Sequence, residues 1–395
     1  MTLGERLHAI GDLAGAAQAA TLSGTVAIMI ADRIAALGWL ERALDLFAQL
    51  PDSIEKATAH TELSRLHMLN YEHDPAATSA AQALDIADRL NLVEIRASAM
   101  ITMGTARVLA GDPTGRQDLD DAFAYCRGRE LPATRRVAIN ISWAMQEDGD
   151  MAGSRLLIDQ YLNSDVTSRH GTVADFSEEA MWSFFAGDWL RLLSAADAFL
   201  DTPSGEWDLQ NRMIRAWIRE LCHVRGEDDL TRTVTMARQT GFHRPLWVSL
   251  GHGAFCRALQ GRFGESEELL RELVEDWVPT RTIASREWVA AAAFAAALTG
   301  SASANRLHAV LEDSPRLTPW VTAALHVTST GSTAARPQRA GDVRFRTAEG
   351  HRQVGSLYAK AAELYRQIGD ITDWAIATAL AARAYEAAGD PAARP

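Results

Sequence analysis

The side chains best equipped for chemistry lie between residues 220 and 260. Cys222 and His223 are adjacent, and His252 and Cys256 stand four apart, on one face of a helix. Thiolate and imidazole are zinc ligands, so four such groups brought together by two meeting helices could hold a tetrahedral metal. Their spacing matches no recognised zinc pattern, and a buried cysteine behaves as a small hydrophobe. No metal site and no cofactor is therefore assigned, and a metal-dependent enzyme in a helical fold stays as the alternative reading. Gly251-His252-Gly253 lacks the third glycine and the preceding strand of a dinucleotide loop, so packing inside a helix accounts for it. No phosphate loop ending in Gly-Lys-Ser or Gly-Lys-Thr occurs, and the only lysines are Lys56 and Lys360. Glu178-Glu179 and the Glu265, Glu267, Glu268 group read as solvated helix faces, because general acid–base work needs a cleft that shifts a pKa. No arrangement of nucleophile, base and orienting group can be read, so the chain is taken as non-catalytic.

The aromatic residues are a stronger signal. Trp182, Trp189, Trp207, Trp217, Trp247, Trp277 and Trp288 crowd the middle of the chain. They serve either packing between helices or the lining of a ligand groove.

Reversals in the chain must position these groups. Gly-Asp pairs stand at Gly111-Asp112, Gly149-Asp150 and Gly187-Asp188, with Asp112, Asp150 and Asp188 each 38 residues apart. A further step of 38 back reaches Asp74, in His73-Asp74-Pro75. Glycine adopts the left-handed conformation that ends a helix, and aspartate caps the next one. Leu40, Ala43, Leu44 and Phe47 follow the i, i+3, i+4, i+7 pattern of an amphipathic helix after a turn placed at Gly38, and Ser53 is a helix N-cap. The spacing predicts helical hairpins over residues 1–327, an irregular loop over 328–347 and final helices over 348–395. Hairpin and chain boundaries do not coincide at either end, which suggests an excerpt from a longer protein.

Composition agrees with helix: 47% of residues are hydrophobic, 23% charged, and only 12 are proline. The net charge of −12 argues against nucleic-acid binding, which needs a basic face. Three widely separated cysteines suit a reducing, cytoplasmic setting, and Thr25–Leu37 is too short and too charged to span a bilayer. Exposed apolar faces at the ends would allow a homodimer.

A small residue stands eight before each turn acid, as at Gly104, Ser142 and Ala180, and Trp189 follows Asp188 directly. In this, and in Gly261-Arg262-Phe263-Gly264-Glu265-Ser266, the chain resembles the tetratricopeptide repeat. It departs from that family four after the acid, where Thr78, Arg116, Ser154 and Leu192 stand in place of a uniformly small residue, and in its longer period. The segments Ala122-Phe123-Ala124-Tyr125 and Ala361-Ala362-Glu363-Leu364-Tyr365 also resemble the helical tail of actinobacterial regulators of the STAND ATPase type. In those the tail accompanies an ATPase and either a cyclase or a LuxR-type DNA-binding domain.

The resemblance implies an all-α fold, an α-solenoid with a right-handed superhelix of about ten hairpins. It also implies a sensor or docking module whose concave groove takes a protein, a peptide or a small effector. By the family pattern, positions 14, 11, 7, 4 and 3 before the turn acid face inward. Around Asp150 these are Arg136, Ile139, Trp143, Gln146 and Glu147. Around Asp74 they give His60, His67, Asn70 and Tyr71, and around Asp188 they include Met181, Phe184 and Phe185.

Overall fold

The reversals at Gly111, Gly149 and Gly187 close in the same way. One residue takes a left-handed conformation, and the next donates its amide back to the carbonyl five residues earlier. Gly111, Gly149 and Gly187 have φ of +77°, +81° and +72°. The amide of Asp112 reaches the Arg107 carbonyl at 2.9 Å, and that of Asp150 the Met145 carbonyl at 2.9 Å. The aspartate then caps the next helix: Asp150 Oδ1 accepts from the Gly153 amide at 2.9 Å. Orphan carbonyls of one helix and orphan amides of the next are both satisfied in two or three residues.

Three earlier reversals, at Ala31, Tyr71 and Asn91, lack glycine. Ala31 and Tyr71 have φ of +57° and +58°, and Asp32 and Glu72 donate back to the Ala27 and His67 carbonyls, each at 2.9 Å. This corrects two sequence expectations. Gly38 lies inside helix Arg33–Phe47 and makes no turn. Asp74 sits in the first turn of helix His73–Leu90, so the reversal acid is Glu72 and strict register fails there by two residues. Ser53 does cap helix Ile54–Leu69, accepting from the Lys56 amide at 3.2 Å.

With the register corrected, the position eight before the residue that follows the left-handed turns at Ala31, Tyr71, Gly111, Gly149, Gly261 and Gly369 is small, whether that residue is an acid or, at Arg262, a base. It is occupied by Gly24, Ser64, Gly104, Ser142, Ala254 and Ala362, all buried. Paired helices cross there. Ser64 Oγ donates to the Ala76 carbonyl at 2.8 Å, Ser142 and Ser154 hydroxyls meet at 2.7 Å, and Ser266 Oγ reaches the Ala254 carbonyl at 2.8 Å. A larger side chain would separate the backbones that these hydroxyls join.

The computed structural model describes residues 3–162, 182–199, 206–221, 227–300, 302–333 and 348–390, and among these there is no strand. Helices pack against their sequence neighbours in pairs: Leu13–Met29 with Arg33–Phe47, Ile54–Leu69 with His73–Leu90, Val93–Leu109 with Gly115–Arg127 and Ala133–Glu147 with Met151–Leu162. Farther on, His243–Leu259 pairs with Phe263–Trp277 and Ala348–Ile368 with Ile371–Ala387. Among the first four pairs, the first helix of each also touches the first helix of the next: Leu13–Met29 with Ile54–Leu69, Ile54–Leu69 with Val93–Leu109, and Val93–Leu109 with Ala133–Glu147. Helix Pro319–Thr333 runs through the start of the expected irregular loop. Its Thr328 and Ser329 hydroxyls turn back to the Ala324 and Leu325 carbonyls at 3.0 and 2.7 Å, so residues that read as loop formers are absorbed by the helix. Residues 334–347 lie outside the described set.

Contacts also recur between parts of the chain far apart in sequence. The His243 amide donates to Asn70 Oδ1 at 3.2 Å, the Ile283 amide to the Leu109 carbonyl at 3.0 Å, and Trp320 Nε1 to the Gln146 carbonyl at 2.8 Å. The first and last of these span 173 and 174 residues. In each case the C-terminal end of an early first helix meets the start of a later helix or, at Ile283, the connection that leads into one. Large aromatics fill the space behind this seam, with Trp217, Trp247, Trp288 and Trp320 at most 1% exposed. Each such ring removes roughly 200 Å² from water, about 5 kcal/mol before conformational entropy is counted.

Candidate functional site

The row running through Arg136 is where the first helices carry polar groups. Arg136 and Ser98 occupy the same position, 14 before the reversal acid, in neighbouring hairpins. Arg136 Nη1 donates to Ser98 Oγ at 3.1 Å and Nη2 to Thr102 Oγ1 at 2.7 Å. One turn on, Asn140 Nδ2 donates to Thr105 Oγ1 at 2.8 Å. Helix Ala133–Glu147 is thus tied to helix Val93–Leu109 by hydroxyl acceptors in place of acids. Burial, with the like charge of Arg65 added, lowers the Arg136 guanidinium to about 10, so it stays protonated at neutral pH. Among the described residues Arg136 makes no ion pair. Ile139 and Trp143 lie half-buried along the same helix, and Trp143 packs against the core.

Gln146 and Glu147, at the end of that helix, are placed differently. They are 2% and 0% exposed. Glu147 accepts from Ser285 Oγ at 2.7 Å, from the Arg286 amide at 3.1 Å and from Arg286 Nη1 at 3.2 Å, while Gln146 Oε1 accepts from Arg286 Nη2. Burial pushes the Glu147 carboxyl up, against the pull of the Arg286 charge. These two side chains join the early hairpins to the later ones.

The residues counted back from Asp74 are displaced by the two-residue slip in register. His60 is half-buried, with its pKa lowered first by burial and then by Lys56, and its Nδ1 has no hydrogen-bond partner. His67 bonds to Glu72, which also takes Asn70 Nδ2 at 2.8 Å and Arg33 Nη2. Burial raises the Glu72 carboxyl, but the bonds from His67 and Asn70 and the charge of Arg33 outweigh it and hold the group down to about 2. Tyr71 stacks on Trp247 with ring centroids 4.8 Å apart. Phe184 and Phe185 are buried against Trp217 and Trp320 at 5.0 and 5.5 Å. Met181 lies outside the described residues.

An open cleft of about 900 Å³ runs along the seam, lined by Glu72, His73, His243, Asp276 and Arg281 among others. His243 Nδ1 and Trp247 Nε1 both bond to Asp276 Oδ2, at 2.6 and 2.7 Å, and His73 Nε2 meets Thr282 Oγ1 at 2.9 Å.

Of the metal-ligand candidates, Cys222 and His223 lie outside the described residues, as do Glu178 and Glu179. His252 and Cys256 are buried in one helix; His252 Nδ1 bonds to the Val248 carbonyl at 3.0 Å, and burial brings its pKa down to about 4. Among the described residues no three His, Cys, Asp or Glu side chains gather as a metal site. A Cβ on Gly251 would lie 3.0 Å from the Trp288 carbonyl oxygen, so this glycine permits close helix packing. Glu265 and Glu268 are exposed, and Glu267 accepts from the Ser303 amide at 3.0 Å. No described helix is long and apolar enough to cross a membrane.

Sequence reasoning missed Ser98 and Thr102, although Ser98 could have been found by counting 14 back from Asp112. It also missed Arg286, Glu287 and Trp320, for which no local pattern gives a signal. No family model matches the chain, and no curated protein matches it.

Proposed function

We propose that the chain is a non-catalytic recognition scaffold: an α-solenoid of tetratricopeptide-like hairpins, wound so tightly that successive superhelical turns touch. The recurring contacts across 173 and 174 residues support a turn of about that length. In this reading the seam closes much of the groove that an open solenoid would offer. Gln146, Glu147, Asn70, Tyr71, Phe184 and Phe185 are spent on the closure, and His67 is held by Glu72 beside the seam. Arg136, Ile139 and Trp143 remain as the face that meets a protein, peptide or small effector, while His60 falls out of it with the corrected register. The observation that carries the reading is Arg136: a charged, half-buried side chain braced by two hydroxyls and by no acid among the described residues. A guanidinium kept in that setting costs stability, and ligand recognition is what such a cost commonly serves. The likeness to the tails of STAND-type regulators favours a sensor or regulatory module of a larger signalling protein, working in the cytoplasm.

The test is a thermal-shift screen of the chain against short peptides of graded charge and small carboxylated and phosphorylated metabolites. At least one probe should raise the midpoint of the wild type. The same probe should leave the Arg136→Gln/Trp143→Phe double variant unmoved, with its helical circular dichroism unchanged. Stabilisation that survives both substitutions contradicts the reading, as does a screen without any stabilising probe.

A further inference from the structure

Three neighbouring first helices bring unequal charge together. Helix Ile54–Leu69 contributes Glu62 and Arg65, helix Val93–Leu109 the Ser98 and Thr102 hydroxyls, and helix Ala133–Glu147 Arg136. Glu62 and Arg65 pair with each other at 3.6 Å. One carboxylate therefore serves two guanidinium groups, in a chain whose net charge is −12. Arg136 lies close enough to Arg65 for the like charge to lower its pKa. A guanidinium has five N–H donors. Here one donor on each terminal nitrogen goes to a hydroxyl, and none goes to an acid among the described residues. Cost and geometry agree: a half-buried guanidinium that shares one carboxylate with Arg65 is under-compensated, and a planar fork of donors is the natural mate of a planar or tetrahedral oxyanion.

We infer that Arg136, backed by Arg65 and the Ser98 and Thr102 hydroxyls, is the anchor of an oxyanion site that takes a carboxylate or phosphoryl group of the ligand. This deepens the recognition reading above and rests on it. The oxyanion supplies negative charge and accepts the N–H donors that no described residue takes, while the hydroxyls can turn to donate as well as accept. Ile139 and Trp143, three and seven residues on, lie along the same helix and offer apolar surface to the body of the ligand. A cationic ligand is repelled from this point, and a neutral one leaves the charge uncompensated.

The experiment titrates succinate and inorganic phosphate, each against sodium chloride at matched ionic strength. It reads tryptophan fluorescence and the Arg Nε–Hε resonances of the wild type, Arg136→Gln, Arg136→Lys and Trp143→Phe. The wild type should give a saturable response to at least one anion that chloride does not reproduce. Arg136→Gln should weaken it tenfold or more, and Arg136→Lys, which keeps the charge and loses the fork, should fall between. Succinate acting alone assigns a carboxylate ligand, and phosphate acting alone a phosphoryl one. A response equal to that in chloride, or unchanged in Arg136→Gln, overturns the oxyanion site. Should probes from the peptide and metabolite screen still bind Arg136→Gln and fail only with Trp143→Phe, the oxyanion site falls while the recognition face stands. Should they bind every variant alike, the face itself falls.

Discussion

Glu147 and Arg286 meet at 3.2 Å across 139 residues of chain, with side chains 0% and 3% exposed. Neither could remain charged there alone. Glu147 ends the helix that carries Arg136, and Arg286 precedes helix Val289–Thr299, so this pair holds an early hairpin against a later one. Glu287 lies 3.6 Å from Arg286 and is itself gripped by Arg244, whose Nε donates at 2.8 Å. Charges at the seam thus alternate in sign.

Removing one member of this network leaves a buried charge uncompensated. Arg286→Met should destabilise the fold by about 3–5 kcal/mol, the range for breaking a buried pair. The double variant Glu147→Leu/Arg286→Met should recover a large part of that loss, because no lone charge remains at the contact. Urea denaturation of the three proteins checks this. A double variant no more stable than Arg286→Met would show that the pair is not the unit that matters.

Asp370 and Asp373 give the fold a pH dependence of defined sign. Asp370 Oδ1 caps helix Ile371–Ala387 by accepting the Asp373 amide at 2.9 Å. Burial raises both carboxyls, Asp370 well above the ordinary range and Asp373 to about 6. Folded pKa values above the unfolded value, roughly 3.9, mean that the folded state holds protons the unfolded state has released. The stability tied to those protons is complete below about pH 4; the Asp373 share is lost as pH rises through about 6 and the Asp370 share at higher pH. Glu72 acts in the opposite sense in a lower window, since stability from a carboxyl held down to about 2 is lost as pH falls toward that value. Asp370→Asn keeps an acceptor for the cap and removes one buried ionisable group. It should be more stable than wild type at pH 8 and show a shallower decline between pH 4 and 7, measured by denaturant midpoints. Parallel curves for the two proteins would refute the assignment.

The reversals were legible in the sequence wherever glycine marks them, because only glycine takes φ near +80° without strain. They were hidden at Ala31 and Tyr71, where a side chain occupies the left-handed position. That is why counting in steps of 38 landed on Asp74 instead of Glu72, and why His60, His67, Asn70 and Tyr71 were named where the corrected register points to Thr58, Arg65, Met68 and Leu69. Helix pairing follows from local pattern and small residues at crossings. The seam does not. Arg286 and Glu287 belong to a short connection without periodicity, and their partners lie more than a hundred residues away. Trp143 and Trp247 look alike in sequence, yet one flanks the polar row and the other is buried beneath Tyr71.

Left-handed positions without glycine also permit a directional test. Glu130 is exposed at φ +54°, so Glu130→Gly should stabilise by about 1 kcal/mol by relieving backbone strain. Tyr71→Gly should destabilise despite the same relief, because Tyr71 is 6% exposed and stacked on Trp247. Opposite shifts in melting temperature are expected. A melting temperature raised by Tyr71→Gly would mean that the stacking across the seam contributes little.

The claim that the array coils back on itself can be tested by small-angle X-ray scattering of the monomer. Coiling with touching turns predicts the radius of gyration of a compact chain of 395 residues, about 21–24 Å. An open array of about ten hairpins at a helix spacing near 10 Å would extend to roughly 100 Å, with a radius of gyration near 30 Å or more. A value in the lower range supports the closed seam and the reserved Arg136 face; a value near 30 Å contradicts both.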